Sequence, residues 1–221
     1  MVGKRLAGWL PGVHLNEVGQ AQAAALAQRL SAQKGKIAAL YSSPVTRCQE
    51  TARPVAQALG LQVQSLEGVG EVLYGEWEGK SIAELAKLDE WKIVQGFPSA
   101  MRFPAGERMR DVQMRAIAAL EEVANRLKDN ERAIIVSHAD VIKSIAAHYA
   151  GIHFDLFQRL IISPASISII GLTPYMPRII CLNDCAHLPA GKDLELPSNN
   201  HAPSRGEPLR SPKGEGANSN G

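Results

Sequence analysis

Short apolar runs that alternate with amphipathic segments constrain the fold of this chain more than any other feature of its sequence. The run Ala133-Ile134-Ile135-Val136 is unbroken and has the length of a strand, as expected of a strand that is buried on both faces. An amphipathic helix is predicted before it over 107–128, and another helix after it from about 141 to 149. Strands that alternate with helices in this way predict an α/β fold, a three-layer αβα sandwich with a mostly parallel central sheet.

The same reading places the remaining elements. Further helices are predicted over 16–30, 44–59 and 81–88, and further strands over 37–41, 61–66, 166–172 and 178–182. Ser43 is expected to cap the second helix, with Pro44 at its first helical position. The segment 97–106 contains two prolines and a glycine, which favours an irregular loop.

Length and composition predict one soluble domain over 1–188, followed by a disordered tail over 189–221. The chain has 221 residues, of which 45% are hydrophobic, enough for a buried core. The tail is rich in Pro, Gly, Ser and Asn and has too few large apolar residues to offset its ordering entropy. A net charge of +2 gives no basic field for nucleic acid or an anionic membrane. The apolar runs are too short to cross a bilayer, and none follows the start as in a signal peptide.

Cysteine usage predicts a reducing, cytoplasmic setting. The chain has three cysteines, and an odd number argues against a disulfide framework. Cys181, Cys185 and His187 form at most part of a metal site, because no fourth ligand has a suitable spacing. A strand thiol and a loop thiol are the favoured interpretation, so no metal site is expected at these residues.

Two junctions between strands and helices carry candidate functional residues. Arg47 lies one turn inside the helix that follows the strand 37–41, and His138 directly follows the strand 133–137. Ligands of open α/β sheets bind beyond the carboxyl ends of the strands, where helix N-termini and arginine attract phosphate. The alternatives are a surface arginine and a histidine whose hydrogen bonds are satisfied within a loop.

Several motifs in a fixed order resemble those of the histidine phosphatase (phosphoglycerate-mutase-like) superfamily, in its phosphatase branch. They cover about residues 5–188. The motifs are Leu15-Asn16-Glu17-Val18-Gly19-Gln20-Ala21-Gln22-Ala23, Tyr41-Ser42-Ser43-Pro44-Val45-Thr46-Arg47, Gly70-Glu71-Val72-Leu73-Tyr74-Gly75-Glu76-Trp77-Glu78-Gly79, Phe103-Pro104-Ala105-Gly106-Glu107, Val136-Ser137-His138 and Leu182-Asn183-Asp184.

The resemblance implies hydrolysis of a small-molecule phosphate ester through a phosphohistidine intermediate. It implies that Arg47 and His138 bind and neutralise the phosphoryl oxygens, that Asn16 contributes to substrate binding, and that Glu71 is the general acid. Glu76 and Glu78 are the competing candidates for the acid. The chemistry that the resemblance implies needs no metal and no other cofactor.

One departure from the family pattern concerns the nucleophile. Family members begin with a strand that ends in Arg-His-Gly, whereas this sequence contains no Arg-His pair and has only His14 near its start. Either the natural chain is longer and begins with the missing strand, which is the favoured explanation, or the protein has lost it. In the second case the chain would bind phosphate through Arg47 and His138 without turnover. The nucleotides upstream of the Met1 codon discriminate between the two.

The resemblance favours a phosphatase over a phosphoglycerate mutase, because the segment between Gly79 and Glu107 is short and mutases usually carry a longer insertion there. Three aromatic residues and a methionine either line an apolar wall near the pocket or belong to the core: Trp77, Phe97, Met101 and Phe103. Neither the phosphate ester nor the oligomeric state is indicated by the sequence.

Overall fold

The computed structural model describes residues 4–173 and 175–188. Within these ranges the helices are α1 (Glu17–Ser31), α2 (Thr46–Leu59), α3 (Ile82–Leu85), α4 (Asp89–Gly96), α5 (Met109–Arg126) and α6 (Ala139–Tyr149). The strands are β1 (Ile37–Ser42), β2 (Val63–Ser65), β3 (Arg132–Val136), β4 (Ile167–Leu172) and β5 (Pro177–Asp184).

A parallel sheet with the strand order β2-β1-β3 forms the centre of the fold. In its register Ser42 at the end of β1 lies opposite Ser65 of β2 and Val136 of β3, so the carboxyl ends of the three strands meet at one edge. The predicted α/β class with a parallel sheet is confirmed. Strands β4 and β5 pair antiparallel in a separate two-stranded sheet.

The helices pack through two sets of buried apolar side chains, and one of these sets lies against the parallel sheet. One set joins α1 and α2 to β1, and consists of Leu26, Ala27, Leu40, Val55, Ala56 and Leu59. The other joins α5 and α6 to the segment 72–103 and includes Trp77, Met101 and Phe103. Burial of each large apolar side chain stabilises the fold by about 1.5–3 kcal/mol. Three of the four residues considered for an apolar wall therefore belong to the core, while Phe97 is exposed.

Strand β3 is not buried on both faces, contrary to the sequence prediction. Its apolar residues are only half-buried, because β3 pairs with β1 alone in the described part of the chain. The segment at residues 4–6 lies elsewhere: Leu6 N donates to Lys80 O, and Ile82 N donates to Lys4 O. The outer edge of β3 therefore presents backbone groups without a strand partner among the described residues, an arrangement that favours pairing with a further strand.

The start of α2 also differs from the prediction. The helix begins at Thr46 with Val45 as its N-cap, not at Pro44 with Ser43 as the cap. The reason is tertiary: Ser43 N continues the sheet by donating to Val136 O (2.9 Å), and Ser43 Oγ lies 2.8 Å from His138 Nε2. The sheet pairing therefore continues to Ser43, and the chain bends at residues 44 and 45 before the helix begins.

Two more predictions concern lengths and ends of elements. The helix predicted over 81–88 is the shorter α3, and a further helix that the sequence did not indicate, α4, follows it. The predicted disordered tail over 189–221 lies outside the described residues. No helix among those residues is long and apolar enough to span a membrane.

Candidate active site

Two helices begin at the carboxyl edge of the parallel sheet. α2 starts four residues after the end of β1, and α6 starts three residues after the end of β3. Because β1 and β3 end opposite each other, the N-termini of α2 and α6 share this edge. Unpaired N–H groups and the helix dipoles make such an edge attractive to an anion.

Arg47 directs its guanidinium group inward at this edge. Its Nη1 donates to Gly8 O (3.0 Å), and its Nη2 donates to Glu71 Oε2 and to His138 Nδ1, both at 3.0 Å. The side chain is 20% exposed. Arg47 is thus part of a buried polar cluster and not a surface arginine.

His138 is buried and held by both ring nitrogens. Burial, together with the charges of Arg47 and Arg115, lowers the pKa of His138 to about 3, so the ring is neutral at physiological pH. Since Arg47 donates to Nδ1, the proton lies on Nε2, which donates to Ser43 Oγ (2.8 Å). The imidazole is therefore fixed in orientation and in tautomer.

Glu71 carries a perturbed carboxyl group beside these two residues. Burial and the neighbouring carboxylate of Asp140 raise the pKa of Glu71 to about 7, against the opposing effect of Arg47. Its Oε1 accepts from Val72 N (3.0 Å), and its Oε2 lies 3.3 Å from His138 Nδ1. A carboxyl group that is partly protonated near neutral pH can act as a general acid and, once ionised, as a general base.

The structure brings together Arg47, Glu71 and His138, which are far apart in the sequence. The Asn16 side chain accepts from Gly19 N as the N-cap of α1 (2.9 Å), and no hydrogen bond links it to these three residues in the described part of the chain. His14 is exposed and pairs with Glu50 (2.6 Å).

The two competing glutamates lie outside this cluster. The side chain of Glu76 is exposed. Glu78 packs against Gly8, where a Cβ atom would lie 2.6 Å from Glu78 Cδ. The geometry therefore favours Glu71 among the three carboxyl groups considered.

Sequence reasoning missed several residues of the cluster. Cys48 Sγ lies 3.5 Å from His138 Nε2, but burial raises the pKa of Cys48 to about 12, so the thiol remains protonated and unreactive. Tyr74 OH donates to Asp140 Oδ2 (3.4 Å). Arg115 contacts Glu71 O (2.9 Å). The available signal for Arg115 was its position on the buried stripe of α5, three residues after Val112 and four before Ala119.

The thiols and the histidine near the end of the described chain form separate contacts. Cys185 Sγ contacts Asn183 O (3.5 Å). His187 contacts Arg29 and Ala165 O. No group of three or more His, Cys, Asp or Glu residues in the described ranges could hold a metal ion.

The pKa values predict how stability depends on pH. The pKa of Glu71 is raised in the folded state. The stability that its protonated carboxyl group contributes is therefore fully present below pH 4.5 and is lost as the pH rises through about 7. The pKa of His138 is lowered in the folded state, so the stability contributed by its neutral ring is present above about pH 6.5 and is lost as the pH falls towards 3. Glu71→Gln mimics the neutral carboxyl group, so we expect it to raise the free energy of unfolding by on the order of 2 kcal/mol at pH 8 and to have little effect at pH 4.5.

Urea denaturation of both proteins across this pH range measures the difference. Glu76→Gln is the matched control, since Glu76 is exposed, and it should change stability little at either pH. Equal destabilisation by Glu71→Gln at pH 4.5 and pH 8 would contradict the raised pKa.

Comparisons of the sequence and of the structure with known proteins point to one family. The family described as histidine phosphatase superfamily (branch 1) matches residues 2–185. Phosphoserine phosphatase 1 of Hydrogenobacter thermophilus is 30% identical over 176 residues, covering 79% of this chain and 82% of that protein. A probable phosphoglycerate mutase GpmB of Photorhabdus laumondii is 29% identical over 157 residues, covering 70% and 71%. The structure of Bacillus stearothermophilus YhfR aligns with a TM-score of 0.76 at 28% identity, covering 83% and 90%.

Proposed function

Because the chain belongs to branch 1 of the histidine phosphatase superfamily, we propose that it forms the phosphate pocket of a phosphomonoester hydrolase. The observation that carries the proposal is the cluster of Arg47, Glu71 and His138 at the edge where α2 and α6 begin. A cationic fork, a neutral imidazole and a carboxyl group with a raised pKa are the groups that transfer of a phosphoryl group to water requires.

The proposed reaction has two steps. A histidine nitrogen attacks the phosphorus atom of the ester, the P–N bond forms, the P–O bond to the alcohol breaks, and Glu71 gives its proton to the leaving oxygen. Water then attacks the phosphohistidine, Glu71 takes a proton from it, the P–N bond breaks, and inorganic phosphate leaves. Arg47 neutralises charge on the non-bridging oxygens in both steps, and the neutral imidazole of His138 donates a hydrogen bond to one of them. The displaced contacts of Arg47 to Glu71 and His138 are replaced by contacts to phosphate.

We propose that the nucleophilic histidine is supplied by a strand outside these 221 residues, docked beside β3. Three observations support this. The sequence contains no Arg-His pair. His14 is exposed and its ring contacts the carboxyl group of Glu50. The outer edge of β3 has no strand partner among the described residues, and β4 and β5 form a separate sheet. A strand that pairs parallel with β3 would end at the edge where His138 and Arg47 lie.

A module that binds phosphate without turnover is the second candidate, because Arg47 and His138 already contact each other at this edge while the sequence contains no Arg-His pair. Phosphotransfer of the mutase type is disfavoured by the short segment between Gly79 and Glu107. The substrate that we propose is a small phosphate monoester, as the name of the phosphoserine phosphatase relative suggests. The free thiols of Cys48, Cys181 and Cys185 suit the reducing cytoplasm that we propose as the location.

The test is to extend the chain at its N terminus by a short apolar strand ending in Arg-His-Gly. We expect the extended chain to hydrolyse p-nitrophenyl phosphate, and the 221-residue chain to bind phosphate without hydrolysing the ester. An extension ending in Arg-Ala-Gly is the matched control and should be inactive. Hydrolysis at equal rates by all three proteins would contradict the proposed source of the nucleophile, and absence of hydrolysis in all three, with phosphate binding intact, would favour the binding module.

A further inference from the structure

All five guanidinium N–H groups of Arg115 donate hydrogen bonds, either to the segment that carries Glu71 or to the carboxylate of Glu107. Its Nη1 donates to Gly68 O (2.8 Å) and Gly70 O (2.9 Å), and its Nη2 donates to Glu71 O (2.9 Å). The remaining two donors bind both oxygens of Glu107, at 2.8 and 3.0 Å. No donor remains to bind phosphate, so Arg115 acts within the protein and not on the substrate.

The backbone that Arg115 holds has little regular structure of its own. Between β2 and α3 the chain forms two short 3₁₀ turns, one of them at Glu67–Val69, and an isolated bridge at Ser81, so carbonyl groups in this segment need partners from elsewhere. Trp9 supplies a second donor to Glu71 O through Nε1 (2.7 Å). The indole lies so close to Gly70 that a Cβ atom there would be 2.5 Å from Trp9 Cζ2. Arg115 and Trp9 therefore fix the carbonyl group of Glu71 from two directions.

Glu107 extends the same attachment to the other side of Glu71. Its Oε2, which accepts from Arg115, also accepts from Leu73 N (2.9 Å), and Glu107 N donates to Leu73 O (2.9 Å). Val72 between them is fully buried. The backbone is thus held on both sides of the residue that follows Glu71, which leaves the Glu71 carboxyl group little freedom to leave the cluster.

We propose that Arg115 is a positioning residue that holds Glu71 in the site through its carbonyl group and through Glu107. This inference rests on the proposed function of Glu71 as the acid. The groups that face Glu71 are Arg47 from α2, His138 after β3 and Asp140 from α6, together with Tyr74 from its own segment. Release of the backbone would separate the carboxyl group from these neighbours and expose it to water.

Arg115→Gln in the 221-residue chain tests this with two readouts that do not depend on catalysis. Amide hydrogen exchange should become about tenfold faster or more at Val72 and Leu73, while protection in β1 at Tyr41 stays the same. In addition, the midpoint of the Glu71 carboxyl titration, followed by carbon NMR, should fall from about 7 towards 4.5. Unchanged exchange at Val72 and Leu73 in a folded Arg115→Gln protein would overturn the proposal.

Two further variants keep the test decisive. Arg110→Gln is the matched control on the same helix, because Arg110 is exposed and its side chain forms no hydrogen bond or ion pair within the described part of the chain, and it should change neither readout. If Arg115→Gln does not fold, Trp9→Phe removes the other donor to Glu71 O and should also accelerate amide exchange at Val72. Unchanged exchange at Val72 in Trp9→Phe would contradict the proposal that these hydrogen bonds hold the Glu71 backbone. A midpoint near 4.5 in the unmodified chain would contradict the acid role of Glu71, and the exchange data would still decide the role of Arg115.

Discussion

Replacing Arg47 by alanine should weaken the binding of inorganic phosphate to the 221-residue chain by at least about 100-fold. The guanidinium group offers two charge-assisted hydrogen bonds to phosphate oxygens, each worth roughly 1.5–3 kcal/mol, and a loss of about 3 kcal/mol corresponds to about two orders of magnitude in Kd. Isothermal titration with phosphate measures the effect. Arg47→Lys retains the charge without the planar guanidinium group, so its Kd for phosphate should lie between those of the unmodified chain and of Arg47→Ala.

Arg53→Ala is the matched control for this experiment. Arg53 lies on the same helix, α2, and is exposed, so its loss removes the same charge without touching the cluster. It should change the Kd for phosphate by less than about threefold, in keeping with a screened surface charge. If Arg47→Ala and Arg53→Ala weakened binding equally, phosphate would be attracted by general charge and not by the pocket.

Glu71→Gln, in the chain extended by the Arg-His-Gly strand, should slow hydrolysis of alkyl phosphates by about 100-fold to 10,000-fold, the usual contribution of a general acid. Alkoxide leaving groups need a proton as the P–O bond breaks, whereas a nitrophenolate leaves without one. For p-nitrophenyl phosphate the first step should therefore be hardly affected. Steady-state rates with alkyl esters and pre-steady-state bursts with the aryl ester separate the two effects.

The pH dependence provides a second check on the same residue. With a pKa of about 7, Glu71 loses the proton that it must donate as the pH rises through neutrality, so kcat for alkyl esters should fall above about pH 7. Glu71→Gln should abolish this limb. Glu76→Gln and Glu78→Gln should leave it in place, because neither residue joins the cluster. A limb that survives in Glu71→Gln and disappears in one of these two variants would assign the acid to that residue.

The sequence predicted those parts of the site that depend on local order along the chain. His138 directly follows a predicted strand, Arg47 lies one turn inside the helix that follows another, and parallel pairing of the two strands brings both residues to one edge. Glu71 lies on a segment without helix or strand periodicity, so only the resemblance to a family indicated it. Its pKa is raised by burial and by the carboxylate of Asp140. Neither of these causes can be inferred from the residues next to Glu71 in the sequence.

Local patterns failed where tertiary contacts compete with them. Ser43 before Pro44 is a favourable start for a helix, yet the Ser43 hydroxyl contacts His138 and the helix begins later. The apolar run at 133–136 predicted a strand correctly, but it contains no information on which strand occupies its outer edge. Arg115, Glu107 and Trp9 belong to three separate segments, and their common attachment to the Glu71 segment emerges only from the folded chain.

The most direct test of the proposed mechanism is to detect the phosphorylated histidine. In the extended chain carrying Glu71→Gln, an activated aryl phosphate should still phosphorylate the histidine, whereas hydrolysis of the intermediate should be slow because water lacks its base. After a brief reaction and alkaline quench, mass spectrometry should find up to one base-stable, acid-labile phosphate per chain, on the histidine of Arg-His-Gly, and none when that residue is alanine. Turnover by the extended chain with Glu71 intact, without any phosphate on that histidine in the Glu71→Gln variant, would contradict a phosphohistidine intermediate.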